Sequence, residues 1–224
     1  MVCPPRTWLA AYVSLGLLVI AVSPSSLDAW FACRLRYRYL QTMGERPNLD
    51  TNLLRGSAGH AAMEAFYGAE PQHRSLDLLL SNAQQALSEI TGEYEKAFGS
   101  LASWDEEDAD KAGLQVVRAL ETYWKTFGRE DKVPALETEV RLARTLPNGH
   151  ELHGVLDGIQ REAHRVTVWE FKFPYSSPYI DNYLYWSPQH RYYGWMLGTE
   201  LPVYVRYNLC TATKVVRPDD FLVL

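Results

Sequence analysis

The sequence predicts an α/β fold: a central mixed β-sheet flanked by helices, with a helical region on its N-terminal side. Three observations carry this. Helical patterns occupy the chain up to Pro134, and alternating runs take over after it. Pro147-Asn148-Gly149, between two such runs, is a strong hairpin turn. A helical pattern and one more strand pattern then complete the order. The 224 residues, 47% hydrophobic and 22% charged, suffice for one domain with a full core and not for two large ones. The same composition excludes collagen, a disulfide scaffold and a mostly disordered chain. The expected organisation is a hydrophobic N-terminal extension over 1–22 and a single domain over 23–224.

Residues 8–22 form an uncharged run behind Arg6. It is shorter than the roughly 20 residues of a membrane span, so no stable span is expected. Its length suits the apolar part of a signal peptide, but only one basic residue precedes it and Pro24 would follow the cut. A signal, an extension and a start codon placed too early all stay open, with export the minority reading. Ser25 with Asp28 fits a capping box, opening a helix that runs to about Leu40 on a stripe of Leu27, Trp30, Phe31 and Leu35. Arg34, Arg36 and Arg38 near its end read equally as a solvated face and as phosphate contacts.

A loop around Pro47 leads to a second helix over Arg55–Tyr67. Helical patterns continue through 75–98 and 108–127, separated by Gly99 and the acidic turn Asp105-Glu106-Glu107-Asp108. Strands are expected at 136–142, 151–159 and 166–173, the last two joined by Gln160–Arg165. A helix at 187–198 and a strand at 202–209 follow.

The net charge of −5 is unevenly spread. Residues 57–140 hold seven Lys/Arg and sixteen Asp/Glu, while the two ends together hold fifteen and eleven. Any basic surface for a polyanion therefore comes from the ends of the chain. Cys3, Cys33 and Cys210 offer neither a disulfide framework nor a zinc signature, and they read as thiols in a reducing compartment.

In the strand over 166–173, Glu170 and Lys172 share one face and Trp169, Phe171 and Phe173 the other. In the preceding strand Val155, Asp157 and Ile159 share a face. A symmetric hairpin centred between Glu162 and Ala163 sets Asp157 opposite Val168, diagonal to Glu170. This rests on parity, because a one-residue slip would turn Asp157 away. Two carboxylates and a lysine at strand ends suit one purpose. The acids hold a hard divalent cation such as Mg²⁺, and the lysine positions water and offsets phosphate charge. The competing reading is an ordinary cross-strand charge pair on a wet face.

Gly154-Val155-Leu156-Asp157-Gly158-Ile159, followed by Trp169-Glu170-Phe171-Lys172-Phe173, resembles the core of the PD-(D/E)XK nuclease superfamily. Within it the resemblance is to the RecB-like branch, which includes phage exonucleases and CRISPR-associated adaptation nucleases. Ser23-Pro24-Ser25 leading to Cys33, Arg55-Gly56-Ser57-Ala58-Gly59-His60 with Glu64, and Gln189-His190-Arg191-Tyr192-Tyr193 are similar to further segments of that branch. The match spans roughly 23–210 in the family's order. It implies a restriction-endonuclease-like core and a metal held by His60, Asp157, Glu170 and the backbone carbonyl of Phe171. Lys172 would be the catalytic lysine, with Asp157 and Glu170 also catalytic. Gln189 and Tyr193 would contact DNA or brace the site, and Arg34 joins them as a candidate DNA contact. Glu137 or Glu139 also belongs near the site, and the sequence does not choose between them.

The implied activity is a Mg²⁺- or Mn²⁺-dependent deoxyribonuclease, an exonuclease in DNA recombination, repair or phage replication. It would be cytoplasmic because its DNA is there. An oligomer and a recombination or replication partner protein are left open. The alternative is a catalytically inactive DNA-binding or scaffold relative of the same fold. Some members of the branch hold an iron–sulfur cluster on four cysteines; three cannot supply four ligands, so no cluster is expected. The ending at Phe221-Leu222-Val223-Leu224 leaves a truncated family member open. The aromatic run Tyr175, Tyr179, Tyr183, Tyr185 and Trp186 reads as a loop packed on the core or as a stacking platform for unpaired bases.

Overall fold

The computed structural model describes residues 21–35, 37–38, 48–49, 51–99, 103–104, 109–175 and 189–223. The run 8–20, Arg36, the loop at Pro47, the acidic turn at Asp105 and the aromatics from Tyr179 to Trp186 lie outside them. Among the described residues the longer helices are α1 (Pro24–Ala32), α2 (Thr51–Gly68), α3 (Leu76–Phe98), α4 (Ala109–Thr126) and α5 (Gln189–Leu197). The strands are β1 (Ala21–Val22), β2 (Asn48–Leu49), β3 (Ser103–Trp104), β4 (Glu137–Thr145), β5 (Glu151–Arg161), β6 (Val166–Lys172), β7 (Val203–Cys210), β8 (Val215–Val216) and β9 (Phe221–Leu222).

Val166 to Lys172 is apolar on both faces apart from Thr167, Glu170 and Lys172, so it belongs at the centre of a sheet. It sits there: β6 pairs antiparallel with β5 and parallel with β7. The seven-stranded mixed sheet runs β1-β5-β6-β7-β8, with β4 antiparallel to β5 and β9 on β7. The pair β2–β3 stands apart. The short strands β1, β2, β3, β8 and β9 were not expected from the sequence. Two-residue strands carry too little alternation to be seen there.

Each face has its own core. On one, α2, α3 and α4 bury Phe66, Leu79, Leu120 and Tyr123 against Trp169, Phe171 and Phe173. The stripe Leu54, Ala58, Ala62 and Phe66 recurs every four residues, which keeps it on one side of α2. Arg74 donates from Nε to Phe66 O (2.9 Å) and Ala69 O (3.0 Å), taking up carbonyls that the end of α2 leaves without helical partners. On the other face α5 packs Tyr192, Tyr193 and Met196 on Leu152, Leu156, Val168 and Val205.

The helix starts differ from the sequence reading. Ser23, not Ser25, caps α1, exchanging hydrogen bonds with Ser26. Pro24 explains it: with no N–H and a fixed φ it fits the first helical position, so the cap is the residue before it. The helix also breaks at Cys33, which is extended (φ −164°, ψ 109°), rather than running on to Leu40. Of the four residues of the expected apolar stripe, one packs inward. Leu27 reaches the second core, whereas Trp30, Phe31 and Leu35 are 40%, 72% and 77% exposed. Among the described residues no helix is long and apolar enough to cross a membrane.

Candidate active site

The β5–β6 hairpin is shifted by two residues from the expected register. Arg161 pairs with Val166, Ile159 with Val168 and Gly158 with Trp169, and Glu162 N–H donates to Arg165 O. The turn therefore centres between Ala163 and His164, and β5 runs two residues further than expected, to Arg161, while β6 starts at Val166 as expected. An even shift preserves parity, and it sets Asp157 level with Glu170 itself rather than with Val168.

The ladder stops at Gly158 and Trp169, and the two strands part beyond it. The Phe171 N–H, past the last ladder pair, donates to Asp157 Oδ2 at 2.7 Å. Across the gap, α5 supplies the partners that β5 has lost. Tyr193 OH donates to Val155 O (2.9 Å) and Tyr192 OH to His153 O (3.1 Å). Gly154 makes room for this, because a Cβ there would lie 2.9 Å from the Tyr193 ring.

The expected alternation across 155–159 fails at Asp157. Leu156 and Ile159 both enter the core under α5, while Gly158 faces Leu136 in the opposite core. Strand β4 is irregular at the same level: Thr138 pairs with Gly158 and Val140 with Leu156, but Glu139, across from Asp157, drops out of the ladder. Its φ of 50° is left-handed, a conformation that costs a non-glycine residue about 1–2 kcal/mol. Both strands thus leave the sheet pattern where two acids meet.

His60 comes to this point from α2. Its Nδ1 lies 3.2 Å from Asp157 Oδ1. Gly59 lets the helix approach β6, since a Cβ there would fall 2.3–2.5 Å from the Phe173 ring. The ligand atoms of His60, Glu139 and Asp157 lie within 4.8 Å of one another. Glu170, 1% exposed in the central strand, stands beside them. Its Oε1 accepts from Lys172 Nζ and from Gln189 Nε2 (2.7 Å), and Gln189 also donates to Tyr193 OH (3.1 Å). The other oxygen, Glu170 Oε2, is buried without a hydrogen-bond partner.

The electrostatics are those of a site with negative charge to spare. Burial, with Asp157 nearby, pushes Glu170 up to about 7. Burial also raises Glu139, helped by Asp157 and Glu64. Burial acts against ionising Asp157, but His60 and Lys172 outweigh it and hold the carboxyl below its usual range. Burial likewise opposes charge on Lys172, yet Glu170 and Asp157 raise its pKa well above normal, so its ammonium persists. Three acids against one ammonium and an imidazole, with an orphaned buried oxygen, form a donor set that fits a hard divalent cation.

His60, Asp157, Glu170, Lys172, Gln189 and Tyr193 are thus brought together, with Phe171 beside Asp157 through its amide. Arg34 is not among them; its guanidinium lies over the Trp30 ring at 5.2 Å. Of the two acids left open on β4, Glu139 faces the site and Glu137 pairs on the surface with Arg161 at 3.2 Å. Counting outward from Asn148, the centre of the β4–β5 hairpin, puts 139 across from 157 and would have chosen it. Tyr175 is 59% exposed, with the Arg55 guanidinium 5.6 Å from its ring.

A family model described as PD-(D/E)XK nuclease superfamily matches residues 21–213. No curated protein matches the chain. Two solved structures are similar to it. The crystal structure of SSO0001 is 15% identical, covering 83% of this chain and 72% of that one, with a TM-score of 0.33. A crystal structure named "Putative exonuclease", from Eubacterium rectale, is 13% identical, covering 78% and 75%, with a TM-score of 0.37.

Proposed function

We propose, from the premise that the chain belongs to the PD-(D/E)XK nuclease superfamily, that it is a divalent-metal-dependent deoxyribonuclease of exonuclease type. Its place would be in the RecB-like branch, in DNA recombination, repair or phage replication within the cytoplasm, with 23–224 as one domain. The observation that carries the reading is the meeting of His60, Glu139 and Asp157 beside the Glu170–Lys172 pair.

In this reading His60, Asp157, Glu170 and the Phe171 carbonyl hold Mg²⁺ or Mn²⁺, and Glu139 joins them. Such a cation polarises a phosphoryl oxygen and acidifies water. The protein's own part is positional and electrostatic. Asp157 is oriented by the Phe171 N–H and by His60. Gln189 fixes Glu170, and Tyr193 ties that brace to the Val155 carbonyl. Lys172 acts as a cation, because the acids around it disfavour loss of its proton. Its ammonium offsets charge that grows on the phosphate during in-line displacement.

The test is degradation of linear DNA with Mg²⁺ or Mn²⁺, with closed-circular DNA as a second substrate. Activity on the linear form alone, lost in Asp157→Ala and in Lys172→Ala, is the expected result. Activity that persists in both variants overturns the assigned roles, and cutting of closed circles overturns the exonuclease reading.

A further inference from the structure

The site leaves one surface unused, on the far side of the second core, where α1 and α5 pack together. Tyr192 OH, shared between His153 O and Val22 O (2.7 Å), ties α5 to β1, two residues before α1 begins. Each of the two helices carries an exposed tryptophan, Trp30 at 40% and Trp195 at 41%. Each indole carries an arginine. The Arg34 guanidinium lies 5.2 Å from the Trp30 ring centre and that of Arg144 4.1 Å from the Trp195 ring centre. Arg144 is anchored by donating to Trp195 O at 2.7 Å, and Tyr37 meets Trp30 edge-on at 5.5 Å. The rings are therefore held in orientation while much of their surface stays open to solvent.

Position and charge indicate what such rings would meet. Helix α5 begins at Gln189, which contacts Glu170; Trp195 is six residues on, about 9 Å along the axis at the α-helical rise. A strand of a few nucleotides spans that. Arg191 on α5 is exposed as well. The opposite side of the sheet is covered by α2, α3 and α4, which carry seven Asp/Glu and five Lys/Arg. Arg34, Arg144 and Arg191 give the α1–α5 side the charge that draws a polyanion.

We propose that the α1–α5 surface is a platform for an unpaired nucleic-acid strand entering or leaving the site. Bases stack on Trp30 and Trp195, and phosphates meet Arg34, Arg144 and Arg191. Aromatic rings interleaved with arginines bind single strands because every base offers a π-face, whereas a duplex keeps its bases stacked on one another. The platform rests on the nuclease reading for its ligand.

The experiment uses the full chain, a fluorescein-labelled oligothymidine, and a duplex of the same length, with EDTA present to prevent hydrolysis. Trp195→Ala and Trp30→Ala are expected to weaken oligothymidine binding about tenfold each, from the usual cost of losing one base–aromatic stack. Trp195→Phe should recover most of the loss, duplex binding should change less, and oligothymidine should quench the wild-type tryptophan emission. Unchanged oligothymidine affinity with a normal circular-dichroism spectrum overturns the platform, as does an equal loss for the duplex. A changed sedimentation coefficient with unchanged affinity also overturns it, marking Trp30, Phe31 and Leu35 as a protein-docking face. Metal-dependent hydrolysis by the wild type is measured alongside. If it is present while the tryptophan variants bind normally, the platform alone fails; if no DNA is ever hydrolysed, the nuclease reading fails.

Discussion

Two glycines of α2, three residues apart, should respond to alanine in opposite directions. At Gly59 a new Cβ would sit 2.3–2.5 Å from three atoms of the Phe173 ring. Phe173 is 6% exposed within the first core and cannot swing into solvent. Overpacking of this kind costs about 1–3 kcal/mol, and a contact this short belongs at the upper end. Alanine's better helix propensity returns about 1 kcal/mol, leaving a net loss of about 2 kcal/mol. At Gly56 nothing lies within 4 Å of the added carbon, so only the propensity acts and stability rises by about 0.5–1 kcal/mol. The two also differ in activity, because His60 follows Gly59. Relief of the clash displaces α2 and draws His60 Nδ1 from its place 3.2 Å from Asp157; an error near 1 Å at such a site costs about 100-fold in rate. Urea denaturation followed by circular dichroism, with metal-dependent DNA hydrolysis, reads both effects. Equal stability and activity for the two variants would refute the close approach of α2 to β6.

Three further outcomes follow from the same geometry. Gln189→Ala removes the 2.7 Å bond to Glu170 Oε1; DNA hydrolysis should fall about 10–100-fold, the scale for a disturbed supporting shell, while the far-ultraviolet spectrum stays the same. Glu139→Gln should weaken Mn²⁺ binding in a titration about tenfold, whereas Glu137→Gln, which breaks only an exposed pair with Arg161, should match the wild type. His190 is 2% exposed, neither ring nitrogen has a hydrogen-bond partner, and burial near Lys172 lowers its pKa to about 4. The unfolded chain therefore binds this proton more readily, with a pKa of about 6.5. The group's contribution to stability is full above that value and is lost as pH falls toward 4. Relative to the wild type, His190→Phe should gain about 1–3 kcal/mol in urea denaturation on going from pH 7 to pH 4.5; no change in the difference would remove the buried neutral histidine.

Much of the site was legible because it lies on regular elements. The spacing of Glu170 and Lys172 fixes their common face, and the four-residue step from Gln189 to Tyr193 puts both on one side of α5, where the structure has them hydrogen-bonded. The hairpin register was off by two residues, yet an even error leaves the facing side chains facing. What could not be read came from departures from regularity. Counting from the β4–β5 turn sets Glu139 across from Asp157, but its left-handed backbone interrupts β4, and β5 changes sides at Asp157. Neither leaves a trace in an alternating pattern. Trp30, Phe31 and Leu35 have the spacing of a buried stripe, but α1 ends at Cys33 and leaves them exposed. Periodicity reports an apolar face and not what covers it.

The central claim is that His60, Glu139, Asp157 and Glu170 hold a single divalent ion beside Lys172. Calorimetric titration of Mn²⁺ into the full chain tests it most directly, using wild type and Asp157→Asn. Asparagine can still accept the Phe171 N–H but brings no charge. The expected result is saturable binding by the wild type, weakened about tenfold or more in the variant with its urea stability retained. Equal Mn²⁺ binding by the two proteins would contradict the account.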